Sequence, residues 1–279
     1  MPVRLPGSGG WAGMTTLALD VDTVLDRLDE LASQRPVAAR IVATSNNESA
    51  GAAELAAMLG ADVALAAKVM KLANSAYFGL SGRVTSLPFA VTVVGFNTVR
   101  SIATVALAGL DEAAALPEGF WDVSVHLAAA CGALGPSFQQ TTADALCLGL
   151  LAQLGAALMH QADTSGYDEL VATTDLGAAR FSAETDRYGL SSPQLTAEAL
   201  QHWRFSPAMV TALREVPGGQ DGALVRTAYE LTARMLSPGH RRLRLDGLSR
   251  HRVPESQAAT RIAGIRADVA ALRAALGLS

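Results

Sequence analysis

The amino-acid sequence predicts an all-α fold, and three observations support this prediction. Half of the 279 residues are hydrophobic and only 17% are charged, so the chain can bury a sizeable core. Apolar residues recur at spacings of three and four along most of the chain, which is typical of helices with one buried face. The one run rich in β-branched residues, 90–94 (AVTVV), has no similar run nearby with which it could pair as a strand.

Capping residues place the first predicted helices. Asp20 and Asp22 can cap a helix that continues with regularly spaced apolar residues. Pro36 suits the first turn of a second helix, because its missing N–H would have no partner there anyway. A third helix lies within residues 49–61 and is closed by Gly60.

The fourth predicted helix, residues 62–74, can be capped by Asp62. Its buried face is predicted to consist of four apolar residues, Leu65, Val69, Leu72 and Ala76. Its opposite face is predicted to carry polar residues, Lys68, Lys71 and Ser75.

Residues 71–82 (KLANSAYFGLSG) break the apolar helical pattern with polar, aromatic and glycine residues. Asn74 can end the helix, and Gly79 and Gly82 permit a turn. Tyr77 and Phe78 can fill the core or offer rigid apolar area to a partner. Two interpretations therefore stay open: a helix stop with core aromatics, or an interaction surface formed by Lys71, Asn74, Ser75, Tyr77, Phe78 and Gly79.

The remainder of the chain is predicted to be helical, with a connector at 111–119 and a linker at 217–222 (PGGQDG). Gly95 stops one helix and Asn97 can cap the next. The predicted helices are residues 87–94, 98–110, 120–134, 142–162, 166–174, 192–205, 207–216, 223–236 and 255–276. We expect a disordered leader at 1–19, a helical domain at 20–219 and a C-terminal helical extension at 220–279.

Composition limits the class of protein. The formal net charge of −4 gives no general attraction to nucleic acid. The uncharged run 145–162 has the minimum length of a membrane span, but it contains Gln153 and His160, so we interpret it as a buried central helix. The N-terminus has no apolar secretion signal, and Cys131 and Cys147 look like buried thiols, which together predict a cytoplasmic protein without a membrane partner.

Common catalytic motifs are absent from the sequence. It has no phosphate-binding loop, no dinucleotide-binding glycine pattern, no Gly-x-Ser-x-Gly elbow, and no His-Glu-x-x-His or Cys-x-x-Cys motif. The five histidines are dispersed, and no His-Asp dipeptide occurs. His160 and Asp163 can share a helix face, but we interpret them as a capping or surface pair. We therefore expect no metal and no cofactor.

The segment from Asp62 to Gly95, with LANSAYFG and SLPFAVTVVG, resembles the HDOD domain, a bacterial all-helical module related to the HD phosphohydrolases. Later blocks follow in the same order as in that family, namely FWDVSVHLAAA, CLGLLAQLG and SSPQLTAEALQHWRFSP. The resemblance covers about residues 28–220. It implies an HD-like multi-helix bundle in which Gly95, Trp121 and Trp203 are structural.

The resemblance also implies where HD hydrolases would hold their metal ligands. The His-Asp pair would fall at Ala152 and Gln153, an earlier histidine near Val123 and a later one at Pro193. A further pair of histidines is replaced by LREVPG at 213–218. Alanine and proline have no atom that binds a divalent ion, and one amide is a poor ligand. The resemblance therefore implies a non-enzymatic relative of the hydrolases.

Three hypotheses about function follow. The first is a bacterial signal-transduction module that binds a signalling protein or a nucleotide-type effector, with self-association possible in principle. The second is a residual metal-dependent phosphohydrolase with rearranged ligands such as His126, His160 or Asp163. The third is a nucleic-acid-binding regulator that uses the arginine-rich loop 240–252, although that loop lacks the interleaved aromatics of single-strand binders.

Overall fold

The structure is a computed structural model that describes residues 18–44, 51–110 and 116–276. Across these ranges it consists of sixteen α-helices with short 3-10 turns and contains no strand, so the all-α prediction is confirmed. The helices are α1 (Val21–Gln34), α2 (Pro36–Thr44), α3 (Ala52–Leu59), α4 (Val63–Ala73), α5 (Leu87–Val94), α6 (Phe96–Leu107), α7 (Phe120–Leu134), α8 (Thr142–Leu151), α9 (Leu154–Ala162), α10 (Thr164–Thr173), α11 (Ala178–Tyr188), α12 (Ser192–His202), α13 (Pro207–Arg214), α14 (Ala223–Leu236), α15 (Leu245–Leu248) and α16 (Ala258–Leu276).

Local capping chemistry sets most helix ends. The carboxylate of Asp20 accepts hydrogen bonds from two N–H groups of α1, and that of Asp62 does the same for α4. Gly95 has a φ of 83° and separates α5 from α6, whose axes differ by 100°. The prediction that Asn97 caps α6 is wrong, because the helix starts at Phe96, two residues earlier than predicted, and Asn97 lies inside it.

Helix α7 is the centre of the core, with α8, α14 and α16 packed against it. Close approach of α7 and α8 requires Gly149, where an added Cβ would overlap the backbone of Leu127. Cys131 and Cys147 are buried free thiols at this contact, as predicted.

The predicted helix 142–162 is divided at Ala152 and Gln153 into α8 and α9. By length and composition, Thr142–Ala162 could cross a membrane, yet 83% of this apolar window is buried inside the protein. The interpretation of a buried central helix is therefore confirmed.

The C-terminal helices pack on the rest of the bundle. Helix α14 lies against α7, and α16 lies against both α7 and α4. The stretch 217–222 is a hydrogen-bonded turn, in which the Glu215 carboxylate accepts from the N–H of Asp221. The guanidinium of Arg226 donates to the carbonyls of Val216 and Gly219.

Some predictions fall partly or wholly outside the described residues. These are most of the leader at 1–19, residues 111–115 of the connector and the last three residues of the extension. Leu19, at the end of the predicted leader, donates a hydrogen bond from its N–H to the carbonyl of Tyr188. Helix α11 was not predicted, because its sequence (AARFSAETDRY) is mostly polar and offers only two large apolar residues to the core, Phe181 and Tyr188.

Candidate functional site

Asn74, in the cluster 71–82, is a structural residue. It ends α4, and its side-chain oxygen accepts from the N–H of Val84 at 3.0 Å. Its amide nitrogen donates to the carbonyls of Val84 at 2.8 Å and Met70 at 3.2 Å. One side chain therefore holds the end of α4 against the far side of the turn that carries the two aromatics.

The turn itself uses left-handed backbone at Gly79 (φ 69°) and Gly82 (φ 74°), as its glycines indicated. The predicted faces of this region are wrong at two residues, since Ser75 is buried and Ala76 is exposed. The reason is that α4 ends at Ala73, so helical spacing no longer applies beyond it. Lys71 is exposed at the rim of the turn.

Tyr77 and Phe78 are both partly buried and pack edge-to-face, with ring centroids 5.2 Å apart. The Tyr77 hydroxyl is buried, and no described residue forms a hydrogen bond with it. It lies against Gly132 of α7, where an added Cβ would overlap it. Helix α16 packs over the turn, and burial together with the charge of Asp268 raises the pKa of Tyr77. The contacts of Tyr77 are those of a core residue.

Ala152 and Gln153, where the resemblance places the His-Asp pair of HD hydrolases, belong to a buried polar network. The Gln153 amide donates to the Tyr229 hydroxyl at 2.9 Å, and that hydroxyl donates to the Ala152 carbonyl at 3.0 Å. The Tyr229 ring meets Phe181 edge-to-face at 4.9 Å. The cavity left beside these rings is about 20 Å³, the space of a single water molecule. The Tyr229 hydroxyl is thus joined by hydrogen bonds to both Gln153 and Ala152.

The other residues considered for metal binding lie apart. Pro193 is buried in α12 and Val123 is half-buried on α7. The His126 ring is bonded to the carbonyl of its own helix residue Asp122, and the His160 ring lies 3.2 Å from the Asp168 carboxylate. In the ranges that the structure describes, no three His, Cys, Asp or Glu side chains converge as a metal site would need.

Asp163 has a capping role, as the sequence suggested. Its carboxylate accepts from the N–H of Gly166 at the start of α10, from Arg187 at 3.1 Å and from the Tyr188 hydroxyl at 3.0 Å. These hydrogen bonds lower the pKa of Asp163 against the opposing effect of its partial burial.

Glu184 is a buried carboxylate that sequence analysis missed. It accepts from the Tyr167 hydroxyl at 2.7 Å and from the Ser192 N–H at 2.6 Å. Burial raises its pKa, and the two hydrogen bonds only partly oppose this effect. Its position on the unpredicted helix α11 explains why no apolar pattern pointed to it.

The arginine-rich loop 240–252 is held by two carboxylates. Glu230 accepts from the His240 ring and from the N–H of Leu243, both at 3.0 Å. Glu255 accepts from the N–H of Leu245 and from Arg234. These hydrogen bonds fix the backbone of the loop that connects α14 to α16.

Trp203 and Arg204 lie at the end of α12, beside a cleft of about 350 Å³. The cleft is bordered by α1, α2, the end of α6 and residues 202–204. Trp203 is partly buried and packs on the core, while Trp121 is partly buried and meets Phe120 edge-to-face.

The fold defines a class of protein: an all-α, HD-like bundle of helices. Comparison with known proteins gives the family. The model of the HDOD domain matches residues 31–217, and the chain belongs to the HDOD domain family.

Solved structures with the same fold have low sequence identity. The chain is similar to a protein of Shewanella amazonensis SB2B provisionally named a phosphohydrolase, with 21% identity, a TM-score of 0.68 and coverage of 92% of this chain and 98% of that one. A protein of Marinobacter aquaeolei VT8 provisionally named for signal transduction is 18% identical, with a TM-score of 0.64. The match covers 94% of this chain and 68% of that one. An HDOD domain protein of unknown function from Geobacter sulfurreducens is 17% identical, with a TM-score of 0.62. The match covers 91% of this chain and 98% of that one.

A sequence relative is an uncharacterized protein of Treponema pallidum (strain Nichols), 25% identical over 203 residues. The match covers 69% of this chain but only 38% of that relative's length.

Proposed function

We propose that this HDOD protein is a non-enzymatic module of bacterial signal transduction, which acts in the cytoplasm by binding a small effector or a protein partner. The observation that carries the proposal is the network at Ala152 and Gln153, the positions that the resemblance implies for the His-Asp pair, where the Tyr229 hydroxyl is bonded to both residues. A metal-dependent hydrolase needs several imidazole or carboxylate ligands at one point to activate water. Here the converging groups are an amide, a phenol and a carbonyl.

The names of similar structures point in two directions, towards phosphohydrolase and towards signal transduction. Identities of 17–21% indicate a shared fold only, so the residues of this chain have to decide between them. The residues favour signalling. Cys131 and Cys147 are free thiols, which supports the cytoplasmic assignment because disulfides are rare in that compartment.

The first test is hydrolysis of bis(p-nitrophenyl) phosphate and of cyclic dinucleotides by the purified chain with Mn²⁺, Mg²⁺ or Zn²⁺. We expect no release of product above that measured with EDTA. His160→Ala is the informative variant, because His160 is the buried histidine of the hydrolase hypothesis. His251→Ala, at an exposed histidine, is its matched control. The proposal would be overturned if the parent and His251→Ala showed metal-dependent turnover while His160→Ala did not, provided that His160→Ala unfolds at the same temperature as the parent.

The second test is a thermal-shift panel of nucleotides and cyclic dinucleotides. A ligand at 100 times its dissociation constant stabilises the folded state by about 2.7 kcal/mol. For a chain of this size that corresponds to a rise of roughly 5–10 °C in Tm. A nucleotide-dependent rise supports effector binding, whereas an unchanged Tm across the panel leaves the protein-partner form of the proposal.

The nucleic-acid hypothesis has less support, because the formal net charge is −4 and the loop 240–252 lacks interleaved aromatic residues. Its distinguishing property is binding that weakens steeply as salt rises. Mobility-shift measurements at low and physiological salt test it directly.

A further inference from the structure

The cleft beside Trp203 has the features of a small-molecule site, and the inference drawn from it rests on the proposed effector-binding function. Its volume of about 350 Å³ lies within the range of ligand pockets. Its apolar wall is made of small and medium side chains from α1, α2 and α6. Its polar rim is formed by four residues, Asp29, His202, Trp203 and Arg204.

Arg204 is the residue of this rim that the fold does not explain. It follows α12 with a φ of 56°, in the left-handed region that glycine adopts at lowest cost. Its N–H donates to the Gln201 carbonyl at 2.9 Å, and the Phe205 N–H donates to the Leu200 carbonyl at 2.8 Å, as in a Schellman helix end. Glycine would form this helix end with less strain, so the arginine points to a use of its side chain.

The Arg204 side chain is available to a ligand. The residue is exposed, and no group in the described part of the chain forms a hydrogen bond or an ion pair with its guanidinium. Since it lines the cleft, its five N–H donors can reach an anion bound there.

A second, buried guanidinium lies beneath the same segment. Arg100 is 4% exposed, and its Cζ atom lies 3.5 Å from the centroid of the Phe205 ring. Its Nη2 donates a hydrogen bond to the Trp203 carbonyl at 2.7 Å. In the described part of the chain, its Nε has no hydrogen-bond acceptor and no carboxylate lies within 4.0 Å of its guanidinium. A positive charge therefore lies under the backbone that carries Trp203 and Arg204, where it favours an anion in the cleft against the opposing carboxylate of Asp29.

The remaining rim residues suit a flat, hydrogen-bonding group. Trp203 supplies an aromatic side chain against which a ring can pack. Asp29 Oδ1 lies 2.8 Å from Nε2 of His202. The Asp29 carboxylate is exposed and keeps lone pairs that can accept from N–H or O–H groups of a ligand.

We propose that this cleft binds a small anion that carries a flat ring, with the ring beside Trp203 and the anionic group on Arg204. Nucleoside phosphates and aromatic carboxylates share this chemistry. The experiment separates these two sources.

The test uses the full chain and isothermal titration with GMP, AMP, guanosine, inorganic phosphate and 4-hydroxybenzoate. The informative variant is Arg204→Gly, which removes the guanidinium and relieves the backbone. The matched control is Arg250→Gly, because Arg250 is also exposed and also has a positive φ, of 52°, but lies outside the cleft. Both variants should unfold at the same or a higher temperature than the parent.

We expect a ring-bearing anion to bind the parent and Arg250→Gly equally, and Arg204→Gly about tenfold or more weakly, as for the loss of a charge-assisted hydrogen bond. Binding of GMP or AMP identifies the nucleotide source, and binding of 4-hydroxybenzoate the carboxylate source. Three results would each overturn the inference. The ring-bearing anion binds Arg204→Gly as tightly as the parent, inorganic phosphate binds as tightly as GMP, or none of the ring-bearing anions binds the parent.

The same samples keep the two proposals distinguishable. Chromatography of the titrated nucleotide with Mn²⁺ present reports whether the chain hydrolyses it. Hydrolysis would overturn the non-enzymatic function, whatever the titrations show. Absence of both binding and hydrolysis would overturn the cleft inference alone.

Discussion

The contact between Tyr77 and Gly132 gives a direct test of whether the aromatics of the cluster 71–82 belong to the core. A Cβ added at Gly132 would overlap the Tyr77 hydroxyl, while the next atoms, Tyr77 Cζ at 3.4 Å and Thr142 Cγ2 at 3.6 Å, are at ordinary contact distance. Gly132→Ala alone should therefore destabilise by about 1–3 kcal/mol, the usual cost of overpacking. Tyr77→Phe alone should be neutral or stabilising by about 1 kcal/mol, because the hydroxyl it removes is buried without a partner.

The double variant Tyr77→Phe/Gly132→Ala carries the prediction. Removing the hydroxyl removes the atom that the new methyl group would meet, so most of the cost of Gly132→Ala should disappear. The two changes should then be coupled by about 1 kcal/mol or more in a double-mutant cycle. Urea unfolding of the four proteins measures this, with Gly264→Ala as control, since an added Cβ there meets no atom within 4 Å.

Two results would refute the reasoning. Additive effects would mean that Tyr77 does not lie against α7 under α16. A loss of stability beyond about 1 kcal/mol in Tyr77→Phe would mean that the hydroxyl has a partner.

Three further predictions concern buried polar groups. Asn74→Ala should cost about 2 kcal/mol in urea unfolding, because it leaves both backbone groups of Val84 without their partner. Tyr229→Phe should cost about 1–3 kcal/mol, since Gln153 loses its buried acceptor, and a cost near zero would contradict the network. Glu184→Gln tests a raised pKa: burial favours the protonated acid, so the parent loses stability as pH rises above the ordinary value of 4.5, and the neutral variant does not. The stability of the variant relative to the parent should therefore increase between about pH 5 and 7, as measured by denaturant unfolding across that range.

Helix boundaries could be predicted where the chemistry that sets them is local. Asp20 and Asp62 cap their helices through bonds to the next few N–H groups, and α7 and α14 have the predicted bounds 120–134 and 223–236. The turn after α4 was also foreseeable, because its glycines carry the positive φ that they indicate.

Features that depend on distant residues could not be predicted. Glu184 is stabilised by Tyr167 and the N–H of Ser192, which belong to other helices, so the polar sequence of α11 gave no sign of burial. Arg204 stands where glycine would mark a helix end, and Arg100 finds its acceptor 103 residues away. The candidate cleft therefore left no local pattern in the sequence.

The position of α7 has a consequence for how the molecule folds. Its neighbours include α8, which follows within a few residues, and α16, whose last residues come more than a hundred positions later. The α7–α8 pair can form early, because little loop entropy opposes it. The contact with α16 closes a very long loop, and contacts of large sequence separation slow folding. The turn with Tyr77 should therefore be among the last parts of the bundle to lose contact with water during refolding.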